Sequence, residues 1–161
     1  TERKIIRIGG HLKELVTVKD KRGNLLNQVI LPFMAEFYLR DLLQVIVGAS
    51  ILAIPVGFTE ETWRLGEFLP LMNILSFMFL SVLFIGVFVY FHYYVQNMEV
   101  HWREFLKRVV FTYVFSFIVV GVLLALIQRA PWTTDILLAF KRVALVTIPA
   151  SMSAAVADTI R

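Results

Sequence analysis

The sequence predicts an all-α, polytopic membrane protein: a bundle of four transmembrane helices that assembles as a homo-oligomer. Three observations carry this expectation. The 161 residues are 58 % hydrophobic and only 17 % charged, with a mean hydropathy of +0.74, whereas soluble chains are about 45–50 % apolar. The apolar residues gather in four runs of roughly the length that crosses a bilayer. The stretches between the runs are short, which favours antiparallel neighbours in an up-down-up-down order.

Residues 1–36 form a basic N-terminal segment, expected on the cytoplasmic side, and residues 37–161 the four-span domain. In the first segment, Val16 and Val18 alternate with polar residues and "DKRGN" follows, the pattern of a small hairpin or an interfacial stretch. The first 30 residues lack the apolar core of a signal peptide. Residues 33–38 with Arg40 read as a lead-in at headgroup level. The first span is expected over 42–58. The second, 68–95, has 28 residues and no Asp, Glu, Lys or Arg, so at 1.5 Å per residue it exceeds a bilayer core of about 30 Å and must tilt or protrude. The third is expected over 109–127 and the fourth over 136–157, with Lys141 and Arg142 near its start. The connections are then 59–67, 96–108 and 128–135.

Basic residues set the orientation, because cytoplasmic flanks are enriched in Lys and Arg. Eight of the 16 basic residues lie at or before Arg40, and Arg103, Lys107 and Arg108 fall in the 96–108 connection. The other two connections carry only Arg64 and Arg129. Both termini are therefore expected in the cytoplasm, with the chain in the inner membrane. "VYFHYYVQ" would close the second span as an aromatic belt, and Trp63 and Trp132 would mark the outer interface. The basic balance fits a membrane surface better than nucleic acid.

The stretch "IPVGFTEETWRLGEFLP" sets three glutamates between two apolar runs. Glu60, Glu61 and Glu67 read either as a solvated turn or as a carboxylate ring at the outer mouth of an oligomeric pore, where it would concentrate cations. Lys141 and Arg142 lie at the same membrane face. They can snorkel outward, or pair with Glu60 and Glu61 as a structural bridge or a gate. Pro55, Gly57 and Pro149 are candidate hinges, since an internal proline frees a carbonyl; Ser50, Thr147 and Ser151 are placed to satisfy such carbonyls. Small-residue spacing (Gly48, Ala49 and Ala53 in span one; Ala150, Ala154 and Asp158 four apart, and likewise Ser153 and Ala157, in span four) marks spans one and four as close-packing or oligomer faces. Span two, rich in Phe and Leu, is expected to face lipid. Gln44, Asn73, Ser76, Ser81, Thr112 and Ser116 are sparse polar groups suited to interhelical hydrogen bonds.

Catalytic signatures are missing from the sequence. His11, His92 and His101 are scattered without metal-ligand spacing, and there is no Cys, P-loop, GxSxG or GxGxxG. No enzymatic role and no cofactor are expected.

The segments "FYLRDLLQVIVGASILAIPVGFTEETWRL" and "IPASMSAAVADTIR" resemble a family of small prokaryotic integral membrane proteins of unknown function. The resemblance covers roughly residues 37–161. It implies a membrane location and no activity.

The functional expectation is a cation-favouring ion channel or ion-conducting homo-oligomer, with inorganic ions, the bilayer and copies of itself as partners. The alternative is a non-conducting anchor or assembly factor whose basic segment binds a partner or anionic lipid. A third reading is a small secondary transporter.

Overall fold

A computed structural model describes residues 2–8, 11–19, 25–32, 39–94 and 98–160. The chain divides into two compact units, Thr1–Glu36 and Phe37–Arg161.

The first unit is a three-stranded antiparallel sheet in the order β1-β2-β3, built from β1 (Glu2–Ile8), β2 (His11–Lys19) and β3 (Leu25–Pro32). Ile8 pairs with His11. Leu15 pairs with Ile30 and Val16 with Val29, with an irregularity between Val18 and Lys19. Two paired strands, β2 and β3, flank the expected hairpin turn "DKRGN", whose residues 20–24 lie outside the described residues, and β1 adds a third strand. The all-α expectation holds for the membrane unit and not for this segment. The lead-in expected over 33–38 lies outside the described residues.

The second unit is helical. It comprises α1 (Leu39–Gly57), α2 (Glu60–Phe68), α3 (Leu71–Val89) with a π-helical turn at Tyr90–Tyr94, α4 (Met98–Leu126) and α5 (Ile136–Thr159). Four of these helices are long and apolar enough to cross a membrane: α1, α3 with its π turn, α4 and α5. The alternating directions place the starts of α1 and α4 with the ends of α3 and α5, hereafter the Asp41 end. The opposite end, with α2, is the Glu67 end.

Three sequence-derived boundaries move. The acidic stretch over 59–67 is a helix, not a loop: Glu60 and Glu61 occupy the first turn of α2, where carboxylates meet the positive end of the helix dipole. α2 stops because Leu69 precedes Pro70 and takes an extended backbone, φ −70° and ψ 134°. Pro70 then N-caps α3, so the second span begins at Leu71 rather than at 68, and much of its expected excess length disappears. The 96–108 connection is also mostly helix. α4 begins at Met98 and carries Arg103, Lys107 and Arg108 on its first turns. By contrast α5 starts at Ile136 as expected, because the Asp135 carboxylate accepts the Leu138 amide at 2.9 Å as an N-cap.

α5 is the centre of the bundle. Half of its apolar stretch is buried, against 22 % for α3, 28 % for α1 and 33 % for α4. It packs against all four other helices of the unit. The closest approach is to α1, and small residues make it possible. A methyl group at Gly48 would collide with the Ala157 methyl and stand 2.9 Å from the Ala154 Cα. Ala49, Ala53, Ala150 and Ala154 are fully buried beside it. The small-residue faces are therefore consumed inside one chain and do not form an exposed oligomer contact. The outward faces are apolar: Leu39, Leu43, Val47 and Ile51 on α1, Phe79, Leu83 and Phe88 on α3, and Val110, Val114, Ile118 and Val122 on α4. The phenylalanine-rich α3 is the least buried span, as expected.

This packing yields a prediction. Gly48→Val should cost about 1–3 kcal/mol, the usual penalty of overpacking, read as a lower unfolding temperature in detergent. Gly86→Ala should cost less than Gly48→Val, because its nearest neighbour is the Phe105 ring edge at 3.8 Å.

Candidate functional site

Eight polar side chains of the spans point inward. Asp41 on α1, Ser81 on α3, Arg108, Thr112 and Ser116 on α4, and Thr147, Ser151 and Asp158 on α5 are all at most 1 % exposed. Their spacing explains the arrangement. Residues 108, 112 and 116 repeat every four positions, and 147, 151 and 158 lie four and seven apart, so each set occupies one helix face. A polar group facing lipid would lack partners, whereas inside the bundle neighbouring helices supply them.

At the Asp41 end, three charges meet. The Arg108 guanidinium donates from Nη2 to Asp41 Oδ2 at 2.7 Å, and Nη1 lies 3.1 Å from Asp158 Oδ2. One arginine thus ties α1, α4 and α5 together through fully buried ion pairs. Gln44, one turn along α1 from Asp41, donates from Nε2 to the Ile160 carbonyl at 2.6 Å. Deeper in, the Ser81 and Ser151 hydroxyls hydrogen-bond each other at 2.8 Å across α3 and α5, and Ser151 also donates to the Ile148 carbonyl at 3.0 Å. Ser116 and Thr147 donate to the carbonyls four residues before them, those of Thr112 and Val143. The Thr112 hydroxyl is buried and finds no partner among the described residues.

The Glu67 end carries a second charge cluster. Arg142, 8 % exposed, donates from Nη2 to Glu67 Oε1 at 2.5 Å, from Nη1 to the Arg129 carbonyl at 2.9 Å, and from Nε to the Trp63 carbonyl at 3.3 Å. Trp63 donates from Nε1 to the Gly57 carbonyl at 2.8 Å, and the Arg129 guanidinium lies over its ring at 3.9 Å, a cation–π contact. α2 lies tightly over Arg142, because a side chain at Gly66 would stand 2.6 Å from the Arg142 Cγ. An open hollow of about 180 Å³ beside this cluster is lined by Glu67, Asp135, Leu137, Leu138 and Lys141.

Several sequence expectations are rearranged here. The bridge to the start of α5 comes from Glu67 near the end of α2, not from Glu60 or Glu61 at its start. Glu60 and Glu61 are exposed. Arg142 does not snorkel to solvent but turns into backbone carbonyls, while Lys141 reaches the Glu67 carbonyl at 3.4 Å. α1 runs through Pro55 to a buried Gly57, and α5 runs through Pro149. The nearby hydroxyls do not serve the carbonyls that these prolines free, those of Ile51 and Leu145. Ser50 donates to Ile46, Thr147 to Val143 and Ser151 to Ile148. Asn73 and Ser76 are exposed, so they form no interior bonds. No group of three or more His, Cys, Asp or Glu able to hold a metal exists among the described residues.

The buried triad escaped the sequence reading. Asp41 sits one residue before the expected first span, Arg108 falls in an expected connection, and Asp158 enters only as a position in a small-residue stripe. The available signal was topological. An up-down-up-down order brings the start of span one, the start of span three and the end of span four to one end, and each carries a charge there.

Four apolar helices with buried ion pairs at one end and a capped charge cluster at the other define an integral membrane protein of four spans. The model of the family described as "Putative integral membrane protein (DUF2391)" matches residues 16–160, and the chain belongs to that family. No curated protein and no solved structure matches it.

Removing one partner of a buried ion pair leaves an uncompensated charge. Arg108→Leu should therefore destabilise the bundle by about 3–5 kcal/mol, seen as a large drop in unfolding temperature. Lys107→Ala, one residue away but exposed and paired with Glu104, should stay within about 1 kcal/mol.

Proposed function

We propose that the protein is a small ion-translocating membrane protein whose pathway runs through the interior of a single bundle, in the manner of a secondary transporter. The observation that supports this reading is the inward polar line. On α5 alone, Arg142 to Asp158 spans 16 residues, about 24 Å at 1.5 Å per residue. That is most of a hydrocarbon core of about 30 Å. Polar and ionisable groups inside a membrane are expensive and mark ion paths. An oligomeric channel would need a polar outward face, and the middle of each span is apolar outside, with Ser76 as the exception. On this reading the line is occluded at both ends, by Arg108 with its two aspartates and by Arg142 with Glu67, and Pro55 and Pro149 are the points at which α1 and α5 flex to open one end. On this reading the Asp41 end faces the cytoplasm of an inner membrane; the seven Lys and Arg residues in the segment preceding α1 support that orientation. No enzymatic role and no cofactor belong to this proposal.

The test is flux of protons, sodium, potassium, calcium and chloride into liposomes holding the purified chain, against empty vesicles. Cation flux is expected. Thr112→Val with Thr147→Val, which removes interior hydroxyls at nearly constant volume, should slow it about tenfold, the equivalent of a weakened hydrogen bond to a charged species. Glu60→Gln with Glu61→Gln should leave it unchanged within about twofold on the same scale. The reverse pattern would favour an oligomeric pore with an acidic outer mouth. Absence of flux for every ion in correctly inserted protein would favour a membrane anchor.

A further inference from the structure

The first turns of α4 carry a face unlike the rest of the bundle exterior. Along the helix, Trp102 and Arg103 come first, Leu106 and Lys107 one turn further, and Val110 and Phe111 one turn beyond those. These six residues line an open groove of about 490 Å³. The spacing puts them on one helix side, because 102, 106 and 110 repeat every four residues, as do 103, 107 and 111. Trp102 is 55 % exposed and Leu106, Val110 and Phe111 are also exposed, so the groove is open to the bilayer. The apolar stretch of α4 begins at Trp102. Trp at the edge of a span belongs at headgroup level, and from Arg103 to Phe111 the helix descends about 12 Å.

The groove therefore has a cationic, amphipathic rim at headgroup depth and an apolar wall below it. Lys107 is partly engaged by Glu104 at 3.1 Å, yet its side chain remains 58 % exposed, and Arg103 is exposed one turn away. A membrane lipid has the same division, with a charged group above and hydrocarbon beneath. A zwitterionic headgroup places its own cation against Arg103 and Lys107, whereas an anionic phosphodiester presents net negative charge to both.

We propose that this face of α4 is a binding site for an anionic glycerophospholipid. Its phosphate is held by Arg103 and Lys107, its glycerol region lies against Trp102, and one acyl chain lies along Leu106, Val110 and Phe111. The inference does not depend on ion translocation, and the site lies on the outside of the bundle, away from the buried polar line.

Native mass spectrometry of the full chain in detergent tests it, with phosphatidylglycerol, phosphatidylethanolamine or inorganic phosphate added separately. The expected result is a retained phosphatidylglycerol adduct, a weaker phosphatidylethanolamine adduct and none with phosphate. Arg103→Gln with Lys107→Gln should weaken the phosphatidylglycerol adduct about 30-fold, from the usual contribution of two basic residues at an anionic surface. Arg64→Gln, at an exposed site on α2, should leave it intact. Equal retention of the two lipids by the unaltered chain would overturn the proposal without any variant being needed. So would an unchanged adduct in the double variant, or equal loss in Arg64→Gln. Phosphate binding as firmly as the lipid would make the site an anion site and overturn it too.

Discussion

The near-contact of α1 and α5 at Gly48 is the constraint on which the rest of the membrane unit depends. No hydrophobic force draws helices together inside a bilayer, since lipid tails are as apolar as leucine. Close packing must supply the attraction, and it requires backbones to approach. Gly48 against Ala154 and Ala157 gives that approach, and the run of alanines on both helices extends it. With α1 seated, α5 becomes the helix that every other α-helix of the unit touches. Its polar positions are then interior by construction. The ion pair to Asp158, the Ser81–Ser151 bond and the grip of α2 on Arg142 all follow from where this one helix sits.

Much of this architecture was legible in the sequence, for physical reasons that are easy to name. The bilayer forces long apolar runs, so the number of spans and the start of α5 at Ile136 could be read directly. The exposed, phenylalanine-rich character of α3 followed from composition, and the close-packing role of spans one and four from their small residues. The same rule misled elsewhere. A charge is read as the end of a span, and so Arg103, Lys107 and Arg108 pushed the third span too far along the chain. In the fold these residues divide between two solutions. Arg103 and Lys107 reach outward near a helix end, whereas Arg108 turns inward to two carboxylates.

The acidic stretch failed differently. Proline, glycine and three glutamates look like a turn, but nine residues suffice for two and a half turns of helix, and Glu60 and Glu61 sit where a helix start favours them. The pairing of Glu67 with Arg142 could not be read from spacing, because it depends on α2 folding back over the start of α5. In the N-terminal unit the alternation is diluted: Ile6 pairs with Lys13 and Ile5 with Glu14, so neither face of β1 is uniformly apolar. Only the segment around Val16 and Val18 kept a visible period of two.

The central position of α5 also bears on how the protein is made. It is the last of the four spans to leave the ribosome. Until it arrives, Arg108 lacks one of its two acidic partners, Ser81 lacks Ser151, and Gly48 faces lipid instead of alanine. Three inserted spans therefore leave the central position of the bundle empty. Commitment to the native bundle falls to a single late event, the lateral docking of the final helix. A chain whose synthesis stalls before that point carries a buried cation short of an acidic partner, the kind of signal by which an incomplete membrane protein can be retained and degraded.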